Sequence, residues 1–237
     1  MSCSTTGPRS AALEASPAAE ARRRQPELAA QVVARDALGP VRVLGGADAS
    51  TLRFDPTRTV HAGLVTLDAA SLAQTAEAGA TGSGGLPYIP GLLGFREVPV
   101  LAEAFRALAV KPDLIFVDGH GLAHPRGLGV ASHLGVVLDV PTIGVAKSIL
   151  VGTVQGDLGE EAGAQAPLVW QGRPVGVALR TRRGANPIYV SVGHRVSLET
   201  ALRWVIATGR GRRLPEPTRL AHEAATRVRL AARAAAG

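Results

Sequence analysis

The chain contains one cysteine, Cys3, only two lysines, Lys111 and Lys147, and no apolar run long enough to cross a bilayer. A single cysteine excludes an internal disulfide and a metal site built from thiolates, and it suits a reducing, cytoplasmic setting. Residues 4–25 contain Arg22, Arg23 and Arg24 but no apolar core, so they do not read as a signal peptide. Common glycine-rich signatures of nucleotide sites are also lacking. Gly119-His120-Gly121 begins like a dinucleotide fingerprint, but His124 stands where the last glycine belongs. Lys147-Ser148 ends like a P-loop, but Pro141 and Ala146 hold its two glycine slots. His120 and His124 are four apart, yet Gly121 and Pro125 argue against a helical zinc pair. Ser132 has no nucleophile elbow around it, and His133 reads as an ordinary helical histidine.

What is present is enough for one domain. The length of 237 residues, with 46% apolar and 19% charged residues, describes a soluble chain with a full core. The net charge of +7 suits a polyanionic partner. Nearly all of that charge is arginine in an Ala- and Gly-rich background, so a compositional bias accounts for part of it. Against that bias, the lysine at Lys147 is the more informative choice.

The organising stretch is residues 111–150. Residues 114–117 have strand character and end in Asp118-Gly119-His120-Gly121. Residues 132–140 read as a helix, and 142–145 as a second strand that ends near Lys147. This βαβ pattern brings both strand ends to one side of a parallel sheet. A second acid, Asp48, follows a strand over 41–44 that runs through Gly45-Gly46. Residues 59–67 alternate as a strand, and 75–85 form a link of small residues. Pro87-Tyr88-Ile89-Pro90-Gly91 is a stiff extended corner that carries one of only two tyrosines. Gly94-Phe95-Arg96-Glu97 leads into a helix over 98–108 with Leu101, Phe105 and Leu108 on one face, which places Glu97 at or just before its start.

The remaining segments are plainer. Residues 1–25 are expected to form an arm without fixed structure, and 26–38 a helix with Leu28, Val32 and Val33 on one side. Residues 156–166 read as a loop and 169–172 as a turn. Residues 174–179 and 187–192 read as a strand pair ending at Gly193-His194-Arg195. Ser197 caps a helix that presents Leu198, Leu202, Val205 and Ile206 and stops at Gly209. Residues 214–237 form a last helix whose end, 230–237, is expected to fray.

Asp48, Glu97 and Asp118 are hard oxygen donors, and acids converging at sheet ends form a site for Mg2+. Such a site activates water and stabilises a phosphoryl transition state. Lys147 and His194 become phosphate-neutralising or acid–base partners if their strands adjoin.

Five stretches resemble the endonuclease V family: LGGADAS (44–50), LPYIPGLLGFREVPVL (86–101), PDLIFVDGHGLAHPRGLGVASHLGVVLDVPTIGVAKSIL (112–150), PIYVSVGHRVSLETAL (187–202) and LPEPTRLAHEA (214–224). The resemblance spans residues 26–229. Ala49 departs from it, standing where a valine is expected. It implies an α/β fold, a single-domain ribonuclease H-like mixed sheet flanked by helices. It also implies Mg2+-dependent (or Mn2+-dependent) hydrolysis of the second phosphodiester bond 3′ to deoxyinosine in DNA, leaving 3′-hydroxyl and 5′-phosphate ends. By position, Asp48, Glu97 and Asp118 are the implied metal-site acids, with Lys147, His194 and His222 as further catalytic candidates. Pro87, Tyr88, Ile89 and Pro90 resemble a strand-separating wedge. Gly119, His120, Gly121, His124 and Leu150 are the implied lesion pocket, with backbone N–H groups of 119–121 as donors to hypoxanthine O6 or N7. The expected protein is a monomer acting on deoxyinosine-containing DNA. Alternatives are a nuclease of the same fold acting on inosine in RNA or on distorted nucleic acid, and a binding module without catalysis.

Overall fold

The computed structural model describes residues 16–51 and 56–235. Among the described residues nine strands lie in one sheet: β1 (Val43–Thr51), β2 (Thr59–Asp68), β3 (Gln74–Ser83), β4 (Leu114–Asp118), β5 (Thr142–Ala146), β6 (Thr153–Val154), β7 (Gln165–Trp170), β8 (Arg173–Leu179) and β9 (Ile188–His194). Among the described residues five helices flank it: α1 (Pro17–Ala29), α2 (Leu93–Ala107), α3 (Val130–Leu138), α4 (Leu198–Ala207) and α5 (Glu216–Ala235). The strand order is β3-β2-β1-β4-β5-β9-β8-β7-β6. β1, β4 and β5 are parallel, whereas β2 and β9 run antiparallel to their inner neighbours.

The unbroken apolar run of β4 follows from burial on both faces. Phe116 packs with Leu44, Val65 and Ile143 beneath Ala201 and Val205 of α4 and Ala221 and Ala224 of α5. Ile115 and Val117 point the other way, toward Val98, Leu101 and Ala104 of α2 and Ala131 and Leu134 of α3. Each fully buried side chain of this kind contributes roughly 1.5–3 kcal/mol. The parallel register then decides the site. Ala47 lies beside Val117 and Asp118 beside Val145, so the acids that follow on β1 and β4 emerge side by side.

Several elements depart from expectation. The predicted arm gives way to α1, because Ser16 accepts from the Ala19 N–H (3.2 Å), Pro17 presets the first turn, and Ala21 and Gln25 are buried. Residues 1–15 of that arm lie outside the described residues. The helix predicted over 26–38 stops at Ala29. Beyond it the chain is held by tertiary bonds, with the Val33 carbonyl accepting from Arg195 N–H (2.7 Å) and the Arg195 carbonyl from Ala37 N–H (3.1 Å). The small-residue link is strand β3, whose Ala76, Ala78 and Ala80 pack into the α2 side of the core. Residues 169–170 extend β7, and the turn falls at Gln171-Gly172, both with positive φ. α5 runs to Ala235, the last described residue.

His133 of α3 meets Phe95 edge-on at 4.6 Å between ring centroids and is 5% exposed. Burial, with Arg24 nearby, pushes its imidazole down to about 4. A histidine in the unfolded chain titrates near 6.5. Between those values the unfolded chain binds the proton and the folded chain does not. His133 therefore contributes stability that is fully present above pH 6.5 and is lost as pH falls toward 4. In urea unfolding, wild type should lose about 2 kcal/mol relative to His133→Leu between pH 7.5 and 4.5. Identical slopes for the two proteins would remove His133 from the acid response.

Candidate metal centre and adjoining cavity

Four elements converge at the carboxyl ends of β1, β4 and β5. Asp48 projects from β1, Asp118 closes β4, Lys147 follows β5, and His222 stands on α5. His222 Nδ1 is 2.7 Å from Asp48 Oδ2 and 3.9 Å from Asp118 Oδ2. Lys147 Nζ donates to Asp118 Oδ2, and the Ala49 N–H donates to the other Asp48 oxygen at 2.8 Å. The backbone of α5 can approach this closely because β1 and β2 carry glycine beneath it. A Cβ on Gly46 would sit 2.0 Å from the Pro217 carbonyl oxygen, and one on Gly63 would sit 2.1 Å from Ala225 N.

Electrostatics mark the cluster as short of positive charge. Asp48 is pushed up to about 6 by burial and then by Asp118, with His222 and Lys147 only partly offsetting this. Glu97, buried on α2, is pushed up to about 8 by its own burial and by Asp48, with Arg96 opposing and Asp118 adding. Asp48, Asp118 and His222 each offer a ligand atom, all within 4.8 Å of one another. Two carboxylate oxygens and an imidazole nitrogen, backed by a further buried acid, fit a divalent cation. Such an ion, when bound, would supply the positive charge that this cluster is short of.

A cavity of about 200 Å³ opens directly beside the cluster. Asp118 belongs to both, and Gly119 and His120 carry the chain from one to the other. Tyr88, Pro90, His124, Leu128 and Leu150 complete much of its wall. His120 is fixed by its Nε2 contact to the Ser148 carbonyl at 2.9 Å, and burial pulls its imidazole down. His124 is pushed down to about 4, first by burial and then by Arg126. Tyr88 is 68% exposed at the rim, with Pro87 exposed beside it, while Ile89 packs inward toward Leu86 and Leu92.

The structure thus brings together Asp48, Asp118, Lys147 and His222, with Glu97 behind them. His194 does not join them. β9 runs antiparallel to β5, so pairing Thr142 with His194 puts the histidine at the opposite end of the sheet. There its Nδ1 accepts from Val33 N–H at 3.2 Å and its Nε2 lies 3.7 Å from Asp139. Gly121 also leaves the pocket, since its N–H donates to Ser191 Oγ (2.9 Å) and it faces the Val192 carbonyl. The Gly119 N–H donates to the Val145 carbonyl at 3.2 Å. These two amides are therefore spent on the fold and do not serve as base donors.

Arg213 escaped the sequence reasoning. Its guanidinium donates to the carbonyls of Lys147 (2.9 Å), Pro187 (3.0 Å) and Asn186 (3.0 Å), which ties the α4–α5 loop to the backbone that presents Lys147. Only its place directly ahead of the LPEPT block hinted at this.

A single-domain mixed sheet flanked by helices, with paired acids at the ends of parallel strands and a histidine from the final helix beside them, is an α/β fold carrying a candidate metal site. The family model for Endonuclease V matches residues 26–223. The endonuclease V of Rhodospirillum centenum is 52% identical over 213 residues, 90% of this chain and 89% of that protein. The Streptomyces avermitilis endonuclease V structure is 42% identical with a TM-score of 0.85, covering 94% of this chain and 96% of that one. The Ciona intestinalis endonuclease V, solved with a 24mer DNA containing an inosine followed by a ribo-adenosine, is 26% identical with a TM-score of 0.75, covering 89% and 96%. The chain belongs to the endonuclease V family, a family of nucleases.

In calorimetric titration with Mn2+, Asp118→Asn should weaken divalent binding at least about tenfold, while His194→Ala binds as wild type does. Undiminished binding by Asp118→Asn would move the metal site elsewhere.

Proposed function

We propose that this protein is a DNA repair endonuclease that recognises deoxyinosine and hydrolyses the second phosphodiester bond 3′ to it, using Mg2+ and leaving 3′-hydroxyl and 5′-phosphate ends. The observation that carries this reading is the juxtaposition of a base-sized cavity and an acid cluster joined by the short Asp118-Gly119-His120 connection. Recognition at one place and cleavage at another need such a rigid link. Inosine-containing DNA bound to the Ciona relative supports the substrate class.

Each group has a task within this reading. Tyr88, exposed at the rim between Pro87 and Ile89-Pro90, fills the gap left when the lesion leaves the stack. Hypoxanthine enters the cavity between backbone at Gly119 and the side chains of His124 and Leu150. Guanine shares O6, so exclusion rests on its extra 2-amino group, which finds no room or no partner. A buried polar group left unmatched costs about 1–3 kcal/mol. Asp48 and Asp118, with His222, would hold the divalent cation, and Glu97 adds negative charge behind them. That cation, when bound, supplies charge stabilisation at the scissile phosphate and lowers the pKa of water. Lys147, already oriented by Asp118 and by the Arg213-held backbone, offers its ammonium to a phosphate oxygen.

End-labelled duplex carrying one deoxyinosine should be nicked at that second bond with Mg2+ and left intact in chelator, with undamaged duplex uncut. Asp48→Ala and Asp118→Ala should each lower the rate by at least about a thousandfold without loss of fold. Activity in either variant near wild type would sink the metal-site assignment. Tyr88→Ala should weaken binding to the deoxyinosine duplex by about tenfold or more while Mn2+ affinity stays put. Unchanged lesion affinity would remove the wedge. An inosine-containing RNA strand run alongside decides between DNA and RNA as the preferred substrate; faster RNA cleavage would keep the chemistry and overturn the repair role.

A further inference from the structure

Gln25 sits on α1, one residue ahead of the stretch matched by the family model. It is 1% exposed, and a buried amide needs partners on both ends. Its Oε1 accepts from Arg126 Nε, and its Nε2 donates to the Gly91 carbonyl at 2.8 Å. Arg126 Nη2 donates to that same carbonyl at 3.0 Å. His124 Nδ1 in turn accepts from the Arg126 N–H at 3.2 Å. One carbonyl oxygen therefore gathers donors from α1 and from the loop that walls the cavity.

That oxygen belongs to the last residue of the proline corner. Gly91 has φ +77°, a conformation that calls for glycine, and a Cβ there would lie 2.9 Å from Arg126 Nη2, which would have to shift. A small apolar contact repeats the polar one. Ala21 of α1 packs with Leu86 and Leu92, on either side of the corner, and Ile89 joins them. The corner that presents Tyr88 and the wall that presents His124 are thus both pinned to α1. Arg126 itself is exposed and available to substitution.

We propose that Gln25 is a positioning residue for lesion recognition: through Gly91 and Arg126 it holds the Pro87–Pro90 corner and the His124 wall at a set separation, so that α1 governs the mouth of the cavity. The inference rests on the reading of that cavity as the pocket for the displaced base. A Gln25 that merely anchored its own helix would affect stability but would not act through Tyr88.

Single-turnover nicking of the deoxyinosine duplex across a range of enzyme concentrations separates half-saturation from maximal rate. Gln25→Ala should raise the half-saturating concentration about tenfold and lower the maximal rate less than about threefold. Arg126→Ala breaks the same junction from the exposed side and should reproduce the shift without a substitution in the core. Adding Tyr88→Ala to Gln25→Ala should cost less than about a further twofold, because both act through one element. Losses that multiply, or wild-type half-saturation in Arg126→Ala, would overturn the positioning role while leaving the pocket in place. A wild type that nicks undamaged duplex as readily as the deoxyinosine duplex would instead remove the pocket reading on which the role depends.

Discussion

The close approach of α5 to the sheet is the contact on which the rest depends. Backbone lies against backbone where Pro217 crosses Gly46 and Ala225 crosses Gly63, at distances that leave no room for a side chain. Two consequences follow from that proximity. The apolar face of β1, β2 and β4 is covered by Ala221 and Ala224, residues small enough to permit it. His222, on the flank of the same helix, is delivered within hydrogen-bonding distance of Asp48. Packing and chemistry are therefore set by one interface, and a bulkier residue at either glycine would disturb both.

The second constraint is charge. Three acids are held near one another in a setting that raises two of them well above their usual range. The fold tolerates this because Lys147 is bound to Asp118 and Arg96 lies near Glu97, yet the compensation is incomplete. A protein built for stability alone would have replaced such acids with apolar residues. Two of them on parallel strands and the third on α2, next to a cavity, mark the arrangement as a site rather than as architecture.

Much of this was legible in the sequence, for physical reasons that differ by element. β4 announced itself because a strand buried on both faces must be apolar throughout, and the abrupt Asp118-Gly119 ending stood out against it. β3 did not, because its side chains are too small to give a hydrophobic signal and its packing relies on fit under α2. α1 was hidden by its arginines; its burial comes from Ala21 and Gln25, neither of which a hydropathy pattern registers. Asp48, Asp118 and Lys147 could be anticipated to converge, since parallel strands share a direction. His194 was misplaced by the same logic, because the antiparallel direction of β9 is a property of the topology and not of any local residue pattern. Gln25 and Arg213 act through backbone carbonyls, partners that leave no trace in residue identity.

The order in which the chain leaves the ribosome gives the α5 interface another meaning. Asp48, Glu97, Asp118 and Lys147 are all synthesised before Glu216–Ala235. Until that helix is delivered, the nascent chain has no His222 beside Asp48, and one apolar face of its central strands is covered only in part, by α4. Completion of the sheet's covering and completion of the site are one event. A polypeptide halted ahead of α5 thus exposes apolar surface and lacks the histidine of its candidate metal site.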